Sequence, residues 1–257
     1  MPLPLASVIT PTFGREAYLA AARACWLSQT YPELEWLILD DSPEPSRVFA
    51  GESDPRIRYR HSKVRATIGE KRNALLAEAK GDIILHFDDD DFYAPEYAAT
   101  MIAALDRLGA DLVNLRGWYM IDFRCSAFCY WNLERKSNFR FLSGPRELQA
   151  VQLTPEGLGT LNLSHMGWGF TFCYRKKVWD AIRFPPINFD EDGIFAREAA
   201  TRFVVTGFTD TDGLCIKAVR HPSNMYYYPQ FNLPLFALKK VQPLAWTHFG
   251  LDRSAGN

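Results

Sequence analysis

The sequence predicts an α/β protein built on a mostly parallel, doubly wound sheet. Two observations carry this. Short apolar runs alternate with segments of helical period over the first 115 residues, the pattern of strand–helix–strand units. Acidic residues also stand directly after two of the apolar runs, Asp40–Asp41 and Asp88–Asp91, where open sheets of this kind bind ligands.

The elements follow in order. LASVIT (5–10) is a β-rich run that meets Pro11, and residues 15–29 place Tyr18, Leu19, Ala22, Trp26 and Leu27 at helical spacing. LEWLILDDS (34–42) is a second strand, stopped by Pro43 and Pro45, and RIRYR (56–60) a third. Gly69–Lys80 is rich in helix formers and closes on Gly81 before the strand DIILHF, and Pro95 opens another helix closed by Gly109. Beyond 115 the pattern changes to aromatic, strand-like runs (117–143) and a stretch rich in glycine, proline and polar residues (144–170), an antiparallel appendage with loops. DEDGIFAREAATRF (190–203) reads as a helix with an acidic start and GLCIKAV (213–219) as a strand. The aromatic segment 225–250 is expected to pack on the core, because its prolines disfavour a continuous amphipathic helix, with binding of a partner subunit or peripheral membrane contact as the other uses. The expected organisation is one domain over 1–257, with halves 1–115 and 116–224 and an extension 225–257.

Composition narrows the function. The 257 residues, 47% hydrophobic, are enough for a full core, and 29 basic against 30 acidic side chains leave no electrostatic footprint for nucleic acid. An anionic partner must then be met by local groups. No run of 18 apolar residues and no basic leader is present, and the five cysteines are odd in number and scattered, which predicts a soluble, cytoplasmic chain without a disulfide framework. Cys125, Cys129, His86 and His165 form no zinc spacing.

ILHFDDDDFYAP (84–95) is the most informative stretch. Four adjacent carboxylates repel one another and must be solvated, partly protonated or held by a cation. If the segment is extended, Asp88 and Asp90 share one face, ~6.5 Å apart, and Asp89 and Asp91 the other. Oxygen-only ligands of this kind suit Mg²⁺ or Mn²⁺, which keep positions open for substrate phosphates.

SVITPTFGREAYL, SQTYPELEWLILDDS and IGEKRNALLAEAKGDIILHFDDDDFYAPEY, in this order and spacing, resemble the inverting glycosyltransferases of family 2, over roughly the first 105 residues. The resemblance implies a GT-A fold with a Rossmann-like, mostly parallel central sheet flanked by helices and an antiparallel acceptor-side extension. It implies a nucleotide-diphosphate sugar donor, most often a UDP-sugar, and a divalent metal, Mn²⁺ or Mg²⁺, on the diphosphate. Pro11, Thr12 and Phe13 match the loop lining the nucleotide pocket, Asp40 the acidic residue that contacts the base, and Arg72 the arginine of the family's RN helix start, with Arg15, Asp41 and Arg72 also expected as donor contacts. Asp88–Asp90 match the DxD motif, with Asp90 as chief metal ligand and Asp88 or Asp89 on ribose or metal-bound water.

Further on, PPINFDEDGIFARE resembles the ED motif, which implies Asp192 as general base with Glu191 as fallback. Asp190 leaves the register open. His221, in HPSN, matches the place where some GT-A enzymes add a histidine to the metal shell, and HMGWGFTFCYRKKVW resembles the strand bordering the acceptor pocket, with Trp168 and Gly169 as acceptor contacts. The acceptor is then the hydroxyl of a glycan, a lipid-linked sugar or another alcohol. Rival readings fare worse. A nucleotidyltransferase would carry a glycine-rich basic loop in place of PTFGRE, and an aspartyl-phosphate phosphatase a threonine or valine where Phe92 stands. A carbohydrate-binding scaffold with a degenerate transferase fold would have lost the metal or base carboxylates, and both are present.

Overall fold

The computed structural model describes residues 2–134, 139–143, 148–154, 168–220 and 231–252. His165, His221 and residues 225–230 lie outside them. In chain order come β1 (Ala6–Thr12), α1 (Glu16–Leu27), β2 (Leu34–Asp40), β3 (Ile57–His61), α2 (Ile68–Glu78), β4 (Ile83–His86), β5 (Phe92–Tyr93) and α3 (Tyr97–Arg107). β6 (Leu112–Asp122), β7 (Ala127–Asn132), β8 (Phe139–Ser143), β9 (Leu148–Gln152) and β10 (Cys173–Arg175) follow. The remaining elements are α4 (Lys176–Ala181), α5 (Glu191–Ala199), β11 (Val205–Thr209), β12 (Cys215–Val219), β13 (Phe231–Leu233), α6 (Ala237–Val241) and α7 (Pro243–His248).

The chain divides into two units. The first comprises Met1–Asp90, Pro95–Asn114 and Met166–Gly207. Its sheet runs β10–β4–β1–β2–β3, with the start of β6 beside β10. β1 through β4 are parallel and β10 is antiparallel to β4, so the sheet is mostly parallel. β1 and β2 are buried along almost their whole length, as strands covered on both faces must be. A core of Ile9, Leu37, Leu75, Leu76, Ile84, Phe172, Tyr174, Phe184 and Phe195 joins the sheet to α2, α4 and α5.

Register sets up the site. Thr12 stands opposite Asp40, and Asp40 opposite His61, so β1, β2 and β3 end level. β4 stops earlier, with His86 opposite Ile9, and Phe87 N–H donates to Ile9 O. The following residues run on beside the end of β1. β1 itself continues through Pro11, where the sequence suggested it would stop. Ile9 directs its backbone toward β4 and Thr12 toward β2, so the missing N–H of Pro11 falls where β4 no longer pairs and costs no ladder bond.

The second unit comprises Asp91–Ala94, Leu115–His165 and Phe208–Asn257. Here β6 pairs antiparallel with β7 and parallel with β12, while β5 and β13 pair antiparallel with β12 and β7. In its C-terminal part Leu238 and Ala245 are fully buried, and Phe249 meets Phe92 and Phe123 edge-on at ring-centre distances of 6.5 and 5.7 Å. The described part of the C-terminal segment thus packs inward. No described helix is long and apolar enough to cross a membrane.

Candidate active site

Asp88, Asp89 and Asp90 occupy a turn and not the extended segment that would have put Asp88 and Asp90 on one face. The reason is at the end of β4: once pairing with β1 stops, Thr10 Oγ1 donates to Phe87 O at 2.8 Å and Thr12 Oγ1 to Asp89 Oδ2 at 2.5 Å, and the backbone curls against β1. Asp89 and Asp90 are each 8% exposed, whereas the Asp88 side chain is 27% exposed. Arg15 lies 3.9 Å from Asp89 Oδ1 and 3.8 Å from Asp90 Oδ2. Asp91 is not part of this cluster. It belongs to the second unit, where Lys217 Nζ donates to it at 2.9 Å and Ala218 N–H at 2.8 Å.

Helix α2 ties the two acidic loops together. A capping box, Thr67 with Glu70, fixes its start, and Lys71 and Arg72 then point along neighbouring faces. Lys71 Nζ donates to Thr12 O and to Asp41 Oδ1, both at 2.8 Å, though the residue is only 3% exposed. Burial by itself lowers the Lys71 pKa and would raise that of Asp41. At Asp41 the hydrogen bonds from Lys71 and Ala66 N–H and the charges of Lys71 and Arg65 outweigh burial and hold the carboxyl below its usual range. Arg65 also stacks 3.4 Å over the ring of Phe13, which stays 42% exposed. Asp40 accepts from Ser42 N–H at 2.9 Å and from Tyr59 Oη at 2.7 Å, so its carboxylate is already oriented.

Arg72 faces the other way, toward α5. It is 4% exposed, 2.9 Å from Glu191 and 3.9 Å from Asp88. Glu191, 5% exposed, is pushed up by burial, and Arg72 opposes this. Asp192 Oδ2 accepts Gly169 N–H at 2.6 Å and Oδ1 accepts Gly193 N–H at 2.8 Å. Asp190, the third acidic residue, stands apart: its φ of 61° is left-handed, and Arg197 pairs with it at 2.5 Å. Trp168 is half-buried and packs edge-on against Phe170 at 6.3 Å. Beneath Arg72, burial and the guanidinium charge hold His86 well below its usual pKa, so the imidazole is neutral.

A hard cation fits the turn. Asp89 is pushed up to about 7, first by burial and then by the charge of Asp90, and a divalent ion would relieve that repulsion. Among the described residues no three His, Cys, Asp or Glu side chains form a ready cage. Mg²⁺ and Mn²⁺ in nucleotide sites use one or two carboxylates, with substrate phosphates and water completing the shell, and the donor set here matches that.

The raised Asp89 predicts a pH dependence. A carboxyl titrating near 7 when folded and near 4 when unfolded binds more protons in the folded state between those values, so stability falls as pH rises through that window. Asp210, pushed up to about 6 by burial, acts in the same direction. Asp41 and Glu35, both lowered, act oppositely: their stabilisation is present above about pH 4 and lost below it. Chelator-treated protein is therefore expected to melt several degrees lower at about pH 8 than at about pH 5. Melting curves of Asp89→Asn and Asp210→Asn check this, each being expected to remove part of the slope.

Sequence reasoning missed Lys71, Arg65 and Tyr59. Nothing adjacent in the sequence marks Lys71, whose partners Thr12 O and Asp41 lie at the level ends of β1 and β2. The family model described as glycosyl transferase family 2 matches residues 7–178, and the chain belongs to that family. An uncharacterized glycosyltransferase of Haemophilus influenzae is 32% identical over 205 residues, covering 72% of this chain and 77% of that one. The putative colanic acid biosynthesis glycosyl transferase WcaA of Escherichia coli is 28% identical over 131 residues, which are 49% of this chain and 46% of WcaA. The chain thus spans about half of WcaA. Among solved structures, S. aureus TarS with UDP-GlcNAc gives a TM-score of 0.64 at 19% identity, covering 87% of this chain and 62% of that one. The mannosyltransferase PcManGT of Pyrobaculum calidifontis with GDP-Man and Mn²⁺ gives 0.60 at 17%, covering 88% and 59%. These likenesses show the fold.

Proposed function

We propose that this protein transfers a sugar from a nucleotide-diphosphate sugar, a UDP-sugar in the first instance, to an acceptor hydroxyl with inversion at the anomeric carbon. The observation that carries the reading is the convergence, within one unit, of the Asp88–Asp90 turn, the Asp40–Asp41 pair and the start of α5 on the two cations of α2. The nucleotide-sugar complexes of the two structural neighbours support it.

In this reading Asp40 and Phe13 receive the nucleoside and Arg15 faces the diphosphate. Asp90 and Asp88 would hold Mn²⁺ or Mg²⁺, which when bound neutralises charge on the departing nucleoside diphosphate. Asp192 accepts the acceptor's hydroxyl proton as the oxygen forms its bond to the anomeric carbon and the bond to the diphosphate breaks. Gly169 and Gly193 N–H groups orient that carboxylate, and Trp168 borders the acceptor. The test is calorimetric titration with UDP, GDP and dTDP, each with and without Mn²⁺, followed by donor screening with the nucleotide that binds. Metal-dependent binding of one nucleotide is the expected result. Binding of none would favour a carbohydrate-binding scaffold.

A further inference from the structure

Arg72 and Glu191 are both almost wholly buried and meet at 2.9 Å. Their surroundings fix what the pair can do. A methyl group placed on Gly169 would lie 2.5 Å from Asp192 Oδ2 and 3.0 Å from Arg72 Nη1, so the backbone of residue 169 is wedged between the two side chains. Its N–H donates to Asp192. Neither Arg72 nor Asp192 can shift without disturbing that wedge, and Glu191 bears on it through its ion pair with Arg72. Arg72 also lies 3.9 Å from Asp88, which links the turn after β4 to the start of α5.

Resting on the transferase reading above, we infer that the buried Arg72–Glu191 ion pair is the positioning device for Asp192, with Glu191 as spacer and counter-ion and not as an alternative proton acceptor. Glu191 is set against Arg72 with its side chain 6% exposed. The groups facing this cluster from each element are Arg72 from α2, Asp88 and the neutral His86 from the end of β4, Tyr174 from β10, and Asp192 beside Glu191 on α5. Asp190 is occupied by Arg197. Counted as formal charges, the side chains of Arg72, Glu191, Asp192 and Asp88 sum to −2.

That charge count makes a test. Arg72→Met changes the net to −3 and Glu191→Gln to −1, while the double variant returns to −2. Removing one partner of a buried pair is damaging, whereas removing both at once is often tolerated. Each single variant is expected to lower kcat by about ten-fold or more with donor KM within about two-fold, and the double to regain most of the loss. Arg72→Lys, which keeps the charge and loses the fork, is expected to retain more activity than Arg72→Met, with melting curves confirming that each variant is folded. A double variant no better than the worse single would overturn the inference. So would a rise in donor KM alone in Arg72→Met, which would make Arg72 a donor contact, or a Glu191→Gln enzyme as inactive as Asp192→Asn, which would make Glu191 the base. A wild-type protein that transfers no sugar from any donor would instead overturn the transferase reading, and the role given to the pair with it.

Discussion

Asp192→Asn is expected to abolish sugar transfer while nucleotide binding stays at the wild-type level. An alcohol is a weak nucleophile, and a carboxylate placed to take its proton contributes roughly 10²–10⁴-fold to the rate. The asparagine is close to isosteric, and its amide oxygen can still accept the Gly169 N–H now received by Asp192 Oδ2 at 2.6 Å, so the start of α5 should remain folded. The Asp88–Asp90 carboxylates lie on a different loop. A kcat loss of about a thousand-fold, with the calorimetric affinity for the nucleotide within about two-fold of wild type, is the expected result. Retention of more than a tenth of the activity would remove Asp192 from the proton-transfer step.

Asp90→Ala is expected to have the opposite signature: loss of Mn²⁺-dependent nucleotide binding, and of transfer through it. Asp89 and Asp90 are both nearly buried, with Arg15 the cation beside them at 3.9 and 3.8 Å. Removing one carboxylate leaves a single buried acid beside an arginine, a charge-balanced arrangement with little call for a divalent ion. Burial, the larger cause of the raised Asp89, stays, but the same change removes the Asp90 charge that adds to it, so the metal-free variant should be as stable as wild type or more so. Calorimetry with and without Mn²⁺, paired with melting curves, reads both effects. Unchanged Mn²⁺ dependence would move the metal away from this turn.

Much of this was legible in the sequence because local rules and the fold agree. Strands covered on both faces are largely apolar, as WLIL (36–39) and IIL (83–85) are, and acidic residues placed directly after such runs mark strand ends. The tetrad was harder to read. Its four members look equivalent, yet Asp88 to Asp90 turn against β1 and Asp91 is used by β12, a division set by where β4 stops pairing. The DEDG segment was ambiguous for a similar reason. It offers three acids in a row, and only the left-handed backbone at Asp190 and its pairing with Arg197 separate that residue from the other two. Gly169, expected from its neighbours as an acceptor contact, also donates its N–H to Asp192, a partner 23 residues further on that those neighbours do not reveal. Lys71 is buried by strand ends that lie far from it in the chain.

The antiparallel strand β10 has a consequence for the order in which the protein is made. It pairs with β4 on one side and with the start of β6 on the other, so a slot next to the central strand waits for residues 173–175. Throughout synthesis of the intervening segment the parallel strands are complete but β4 has an open hydrogen-bonding edge, and Arg72 has a buried position without Glu191. A nascent chain in that state offers a template for mispairing. Closure of the slot and completion of the ion-paired cluster arrive together, within the span from β10 to the start of α5, so a ribosome-bound intermediate cannot hold the assembled site before that span has emerged.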